Sequence, residues 1–223
     1  FCIAHSSSDA KELATAMVRG AFEFQGQKCS ALSRAYIPST LWDDVKTKYL
    51  DQVADIKMGD PEDFTNFMNA GIDKSAFNTI TSFIDYAINA DDAEIIYGGG
   101  YDDSTGYFIE PTTIVTTNPN FKTMEEEIFG PVLTIYIYDP RDWDKTLPLV
   151  DSTSPYSLTG AVFAKDRNAI RKASKVLTHS AGNFYINDTP TGAVVGQQPF
   201  GGGRASGTNE KAGSVFNRIR DRK

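Results

Sequence analysis

Residues 132–186 alternate apolar strands with single helices, and this pattern limits the possible folds more than any other feature of the chain. Strands are predicted over residues 132–138, 158–163 and 183–186, with helices over residues 141–150 and 168–176 between them. Strands joined by single helices run parallel through right-handed crossovers. We therefore expect an α/β fold, a three-layer domain with a mainly parallel sheet. Neither an internal repeat nor a low-complexity linker divides the sequence, so residues 1–223 are predicted to form one domain.

The first 90 residues predict three helices, each with one apolar face. A strand over residues 1–5 leads to a helix that Asp9 caps and Gly26 ends. A strand at residues 34–37 is closed by Pro38, and Ser39 is predicted to cap a second helix. A third helix is expected over about residues 75–90, and short strands at residues 94–97 and 107–111. The residues predicted to be buried in the first two helices are Ala10, Leu13, Ala14, Met17, Val18, Ala21, Phe22, Leu41, Trp42, Val45, Tyr49 and Val53.

The composition is that of an ordinary globular protein with no affinity for nucleic acid or membrane. Of 223 residues, 40% are hydrophobic and 23% charged, enough to build a full core, and the net charge of −7 lacks the basic surface of nucleic-acid-binding proteins. No apolar run approaches the roughly 18 residues of a membrane span. Cys2 and Cys29 are expected to be free thiols, and no metal site is predicted. The chain begins without Met inside an apolar run, so we expect it to come from a longer protein.

Cys29 is the first candidate for a catalytic residue. It lies in Phe24-Gln25-Gly26-Gln27-Lys28-Cys29-Ser30-Ala31, where small neighbours leave room for a carbonyl group. A thiolate attacks carbonyl carbon through a covalent intermediate, whereas a lone cysteine more often only fills apolar space. The position just past a helix C-terminus disfavours a thiolate, and Lys28 offsets this only if its side chain turns toward the sulfur.

Two alternative functions stay open from these residues. A cysteine-dependent hydrolase or acyltransferase would need a base near Cys29, and His5 and His179 are the only histidines. A non-catalytic folding or assembly module would leave Cys29 inert.

Two later segments carry residues of the kind that bind ligands. Glu125-Glu126-Glu127-Ile128-Phe129-Gly130-Pro131 precedes the strand at residue 132. A carboxylate there can accept hydrogen bonds from ribose hydroxyls and an aromatic ring can pack on a flat ring, although a charged turn before a buried strand has the same pattern. Residues 192–207 form a glycine-rich loop with one aromatic residue, Phe200, and loops of this kind often line pockets.

In this order, the three segments resemble the nucleophile, cofactor-contact and substrate-loop segments of the aldehyde dehydrogenase superfamily. The resemblance implies that Cys29 is the nucleophile, that Glu127 contacts the nicotinamide ribose of NAD and that Phe129 flanks it. It also implies a reaction in which Cys29 adds to an aldehyde to give a thiohemiacetal. The Cys29 backbone N–H and a side-chain amide would hold the oxyanion, hydride would pass to NAD+, and water would hydrolyse the acyl-enzyme.

Residues 24–31, 181–188 and 196–202 look like segments of the Δ1-pyrroline-5-carboxylate dehydrogenase branch, which oxidises L-glutamate γ-semialdehyde to L-glutamate in proline catabolism. In that branch the serine after the nucleophile and a Gly-Ser pair bind the substrate carboxylate, which implies Ser30 and Gly192 here. Ala193 stands where serine is usual, so a hydroxyl donor worth about 1 kcal/mol is lost while the backbone N–H remains. Phe200 matches an aromatic residue that packs along the aliphatic part of the substrate.

The resemblance also implies what this chain does not contain. In the superfamily the NAD-binding domain, the oxyanion-hole amide and the usual glutamate base precede the nucleophile segment, and a C-terminal segment completes an oligomerisation sheet. We therefore expect a homo-oligomeric, NAD-dependent parent enzyme acting on a small-molecule aldehyde, and little or no activity from this chain alone. The expected location is the mitochondrial matrix in a eukaryote and the cytoplasm otherwise.

Overall fold

The computed structural model describes residues 1–193 and 197–212, which are organised around a seven-stranded sheet. In this part of the chain the strands are β1 (Cys2–Ala4), β2 (Arg34–Pro38), β3 (Ala93–Tyr97), β4 (Tyr101–Asp102), β5 (Phe108–Ile109), β6 (Thr112–Thr116), β7 (Val132–Tyr138), β8 (Tyr156–Ser157), β9 (Thr159–Phe163), β10 (Asn183–Ile186) and β11 (Gly203–Arg204). The helices are α1 (Ala10–Phe22), α2 (Ser39–Ala54), α3 (Lys74–Ile88), α4 (Lys122–Glu125), α5 (Trp143–Ser152) and α6 (Arg167–Val176).

The main sheet has the strand order β10-β9-β1-β2-β7-β6-β3. Every neighbouring pair in it is parallel except the edge pair β3 and β6, which is antiparallel. The two remaining pairs, β11 with β8 and β4 with β5, are short antiparallel ladders outside this sheet. The prediction of an α/β fold with a mainly parallel sheet is confirmed.

Helices cover both faces of the sheet, which gives the predicted three layers. Side chains alternate across a strand, so Cys2 and Ala4 join the core under α1 and α2, while Ile3 joins the core under α3, α5 and α6. All seven apolar residues predicted for the first helix are buried, as are Val45, Tyr49 and Val53 of α2. Leu41 and Trp42 are partly buried against the same core.

Asp9 is the N-cap of α1, as the sequence predicts, but Ser39 is not the N-cap of α2. The Asp9 carboxylate accepts hydrogen bonds from the backbone N–H groups of Lys11 and Glu12, at 3.0 and 3.2 Å, which makes it a true N-cap. Ser39 lies inside α2, and the N-cap position is Pro38, which gives no side-chain hydrogen bond. The prediction for Ser39 is wrong because β2 runs through Pro38 directly into the helix.

The sheet strand β6 was not expected from the sequence. The strand predicted over residues 107–111 is reduced to β5, and the ladder with β7 begins only after Pro111, which has no N–H to donate. The Thr112 N–H donates to the Pro131 carbonyl at 2.8 Å and starts that ladder. Within the described residues, no helix has the length and apolar character needed to cross a membrane.

Candidate active site

The turn that carries Cys29 is built from three successive residues in the left-handed region of backbone space. Phe24, Gln25 and Gly26 have φ values of 55°, 58° and 65°. This conformation costs a non-glycine residue roughly 1–2 kcal/mol, so it persists only where neighbouring groups hold it. Gln25 is buried and its side-chain amide donates to the Ala70 carbonyl at 3.3 Å. The strained backbone of this turn is therefore held in place by a contact with a distant part of the chain.

Hydrogen bonds on the far side of Cys29 complete the turn. The Leu32 N–H donates to the Gly20 carbonyl of α1 at 2.8 Å, and Leu32 itself is buried. The Thr159 hydroxyl at the start of β9 donates to the Ser30 carbonyl at 3.2 Å. Cys29 remains exposed between these tethers, as a free thiol. Among residues 1–193 and 197–212, its backbone N–H has no hydrogen-bond acceptor.

The segment with Glu127 and Phe129 lies against this turn. The backbones of Gly26 and Gly130 approach so closely that a Cβ on Gly26 would lie 2.2 Å from the Gly130 carbonyl oxygen. Ile128 is buried, whereas Glu127 is exposed and the Phe129 ring is 45% exposed. Phe129 also has a left-handed backbone, with φ of 59°. Its ring is thus presented at the surface beside the Cys29 turn.

Cys29, Glu127 and Phe129 line one cavity of about 210 Å³. The cavity borders Arg34, Val132 and Thr159, the first residues of β2, β7 and β9, so it lies at the amino-terminal edge of the parallel strands. Doubly wound α/β folds usually bind ligands at the opposite, carboxyl-terminal edge. Here the cavity lies at the other edge because the two segments that line it are the loops that precede β2 and β7. Ser206 of the glycine-rich loop and Tyr156 also line the cavity.

None of the four predicted substrate residues is among those that line this cavity. Ser30 is half-buried beside Cys29, but it is not among the lining residues. Gly192 and Ala193 are half-buried and follow β10; a Cβ on Gly192 would lie 3.6 Å from Cε1 of Tyr185 and in ordinary contact with its neighbours. Phe200 is half-buried and pairs with Ala212 through two backbone hydrogen bonds of 3.2 and 2.7 Å. Residues 194–196 of this glycine-rich segment lie outside the described residues.

The charge nearest to Cys29 in sequence is paired. The Lys28 ammonium lies 2.9 Å from one carboxylate oxygen of Glu23, and the Arg19 guanidinium lies 2.5 Å from the other. Lys28 is therefore part of an ion-pair network with α1, where its charge is compensated. The idea that Lys28 alone favours the thiolate gains no support from this arrangement.

Neither histidine is placed to act as a base for Cys29. His5 Nδ1 is 2.9 Å from the Ser7 hydroxyl, and its ring packs edge-on against Trp143 with centroids 4.9 Å apart. His179 is exposed after α6. Neither residue is among those that line the cavity, so the arrangement that a thiol hydrolase needs is missing from the described part of the chain.

Arg34 also lines the cavity, although sequence reasoning assigned it no role in the site. It is 7% exposed, its guanidinium lies 5.6 Å from the centre of the Phe1 ring, and its Nε has no hydrogen-bond partner among the described residues. Arginine side chains are rarely buried. The sequence feature that could have indicated this residue is a charged side chain at the start of the apolar stretch at residues 34–37. The sequence alone does not show that the side chain turns inward.

A nicotinamide cofactor is compatible with the cavity residues. The exposed carboxylate of Glu127 can accept hydrogen bonds from ribose hydroxyls, and the exposed ring of Phe129 offers a flat apolar surface within the same cavity as the Cys29 thiol. Within the described residues, no group of three or more histidine, cysteine, aspartate or glutamate side chains is arranged to hold a metal ion.

Comparison with known proteins gives a consistent result. Residues 1–219 match the aldehyde dehydrogenase family. The chain is 56% identical over 220 residues to the mitochondrial delta-1-pyrroline-5-carboxylate dehydrogenase of Dictyostelium discoideum, covering 99% of this chain and 39% of the relative. It is 49% identical over 214 residues to the human mitochondrial enzyme of the same name, covering 96% of this chain and 38% of the relative. The chain thus spans about two fifths of the length of these relatives.

A solved structure shares the fold closely. The delta-pyrroline-5-carboxylate dehydrogenase of Mycobacterium tuberculosis bound with NAD superposes with a TM-score of 0.91 at 45% identity. The match covers 99% of this chain and 40% of that one.

Proposed function

Because the chain belongs to the aldehyde dehydrogenase family, we propose that it is the nucleophile-bearing part of an NAD-dependent enzyme that oxidises L-glutamate γ-semialdehyde to L-glutamate. The observation that carries this proposal is the cavity in which an exposed Cys29 thiol, the Glu127 carboxylate and the Phe129 ring meet. The names of relatives at about 50% identity support the choice of substrate and, for a eukaryotic source, a mitochondrial location. We expect the longer protein to be a homo-oligomer that binds a small aldehyde.

Cys29 supplies the covalent chemistry. Its thiolate adds to the aldehyde carbon, and the carbonyl electrons move to oxygen to give a thiohemiacetal oxyanion. The Cys29 backbone N–H has no acceptor in the described part of the chain, so it can donate to that oxyanion without breaking another bond. Held against Glu127 and Phe129, NAD+ would supply the acceptor for the hydride that leaves the former aldehyde carbon. Water then hydrolyses the resulting thioester, which releases the carboxylate product and restores the thiol.

The remaining site residues bind rather than react. Glu127 is proposed to bind the nicotinamide ribose through its carboxylate, with Phe129 packed beside it. Ser30, Gly192 and Ala193 are proposed to hold the α-carboxylate of the substrate, with the Ala193 backbone N–H in place of a serine hydroxyl. Phe200 is proposed to pack along the aliphatic carbons.

The longer protein that contains this chain tests the proposal directly. Mixed with NAD+ and L-glutamate γ-semialdehyde, it should produce NADH, detected by absorbance, while residues 1–223 alone should produce little or none. An absence of NADH from the longer protein would rule out the dehydrogenase assignment. Rapid NADH production by residues 1–223 alone would instead show that the preceding part is not needed.

A further inference from the structure

Asn183, the first residue of β10, holds the backbone on both sides of Phe200. Its side-chain N–H donates to the Pro199 carbonyl at 3.0 Å, and its side-chain oxygen accepts from the Gly201 N–H at 3.2 Å. We propose that Asn183 is a positioning residue that fixes Phe200 and thereby sets the affinity for the carbon chain of the substrate. This inference rests on the proposed function. Nothing in the sequence distinguishes Asn183 from other strand residues.

Further contacts hold residues 199–201 against the start of β10. A Cβ on Gly182 would lie 1.9 Å from the Gly201 carbonyl oxygen, so the two backbones are in direct contact. The Lys211 ammonium donates to the carbonyls of Gly182 and Gly201, both at 2.6 Å, and so links the same two backbone segments. Phe200 itself pairs with Ala212, and Asn183 supplies a further hydrogen bond on either side of the aromatic residue.

The carboxamide of Asn183 satisfies both groups at once. The Pro199 carbonyl needs a donor and the Gly201 N–H needs an acceptor, and an asparagine side chain provides one of each. Aspartate keeps the size but can only accept when ionised, and alanine provides neither. Loss of these bonds leaves the Phe200 backbone held only by its pairing with Ala212 and by the Lys211 bond to Gly201, and so loosens it. The Cys29 turn has separate tethers to Gly20 and Thr159. The expected effect is therefore on substrate binding rather than on the chemical step.

The test uses the longer protein with the variants Asn183→Ala, Asn183→Asp, Phe200→Ala and the double variant Asn183→Ala/Phe200→Ala. We expect each single variant to raise the KM for glutamate γ-semialdehyde about 5- to 20-fold, with kcat within about 3-fold and the KM for NAD+ unchanged. The double variant should be no worse than Phe200→Ala, because residues that act through one another are not additive.

Asn118→Ala is the matched control. Asn118 is also half-buried, and its carboxamide also donates once, to Asp92, and accepts once, from the Asn120 N–H, at 2.9 Å each. It follows β6 at the opposite edge of the sheet from the cavity, so its KM values should equal those of the wild type. If Asn183→Ala does not fold, as judged by thermal unfolding, the test rests on Asn183→Asp and the double variant Asn183→Asp/Phe200→Ala.

Two outcomes would overturn the positioning role. One is a wild-type KM in the folded Asn183 variants, and the other is a double variant whose loss equals the product of the two single losses. Both are read from a wild-type enzyme that makes NADH from the semialdehyde. A wild type that makes none would contradict the proposed function itself, so the two failures are distinguishable.

Discussion

The backbones of Gly26 and Gly130 are in contact, with room for no side chain on Gly26. A Cβ there would lie 2.2 Å from the Gly130 carbonyl oxygen, and Gly26 also has a φ of 65°. This contact fixes the turn before β2 against the segment before β7. It explains how Cys29 and Glu127, nearly 100 positions apart in the sequence, line the same cavity.

Gly26→Ala should therefore destabilise the protein and disrupt the site together. The strained φ costs roughly 1–2 kcal/mol and the clash with Gly130 roughly 1–3 kcal/mol, for a loss of about 2–5 kcal/mol in the free energy of unfolding. Chemical denaturation measures this loss. Gly203→Ala is the control, because a Cβ on Gly203 would come no closer than 3.9 Å to its nearest neighbour, Asn209. Equal stability of the two variants would contradict the account of the contact.

Alkylation should distinguish the two cysteines. Cys29 is exposed, whereas Cys2 is 1% exposed and burial raises the pKa of its thiol to about 12. Because the thiolate is the reactive form, iodoacetamide at neutral pH should label Cys29 at least about 100-fold faster than Cys2. Peptide mapping by mass spectrometry gives both rates. Labelling of Cys2 at the rate of Cys29 would be incompatible with this burial.

Glu127 and Phe129 should affect the cofactor more than the aldehyde. Glu127→Gln and Phe129→Ala are each expected to lower kcat/KM for NAD+ about 10- to 100-fold while changing the KM for the aldehyde less than about 3-fold. Steady-state kinetics of the longer protein with each substrate varied separately measures this. Glu126→Gln removes the neighbouring charge and should have little effect. A larger loss from Glu126→Gln would mean that the proposed contact lies one residue away.

Acid should destabilise the fold through its exposed capping carboxylates. The Lys165 ammonium lowers the pKa of Asp9, backbone N–H groups of α6 lower that of Asp166, and Arg141 lowers that of Asp139 to about 2. These groups stabilise the folded state above their unfolded pKa of about 4, and the contribution is lost as pH falls through the folded values. The midpoint temperature of thermal unfolding should therefore decrease as the pH is lowered from about 4 to about 2.

The double variant Asp9→Asn/Asp166→Asn tests the origin of that fall. It cannot ionise at either position, so its thermal midpoint should be lower than that of the wild type at pH 6 and should approach it at low pH. Parallel curves for the two proteins would show that other groups cause the acid sensitivity.

Local patterns in the sequence were sufficient for much of the fold. The strands at residues 132–138 and 183–186 have the predicted bounds, and the apolar face of α1 is buried as expected, because both depend on short-range periodicity. Ser39 does not cap α2 because β2 runs directly into the helix. Strand β6 was not expected because the ladder with β7 begins only after Pro111. In both cases the neighbouring structure, rather than the local pattern, decides the boundary.

The site was predictable only in part. Cys29, Glu127 and Phe129 were singled out because their segments resemble those of a known family, and the structure places all three in one cavity. Their convergence depends on the Gly26–Gly130 contact, which no local pattern encodes. Arg34 and Asn183 were not singled out because the first depends on the direction of a buried side chain and the second on hydrogen bonds to residues 16 to 18 positions away.

Replacing the cysteine tests the central claim most directly. In the longer protein, with NAD+ and glutamate γ-semialdehyde, Cys29→Ser should lower the rate of NADH formation at least about 1,000-fold while leaving the thermal midpoint near that of the wild type. Cys2→Ala should retain substantial activity. A Cys29→Ser enzyme that keeps more than about a tenth of the wild-type rate would contradict the assignment of Cys29 as the nucleophile.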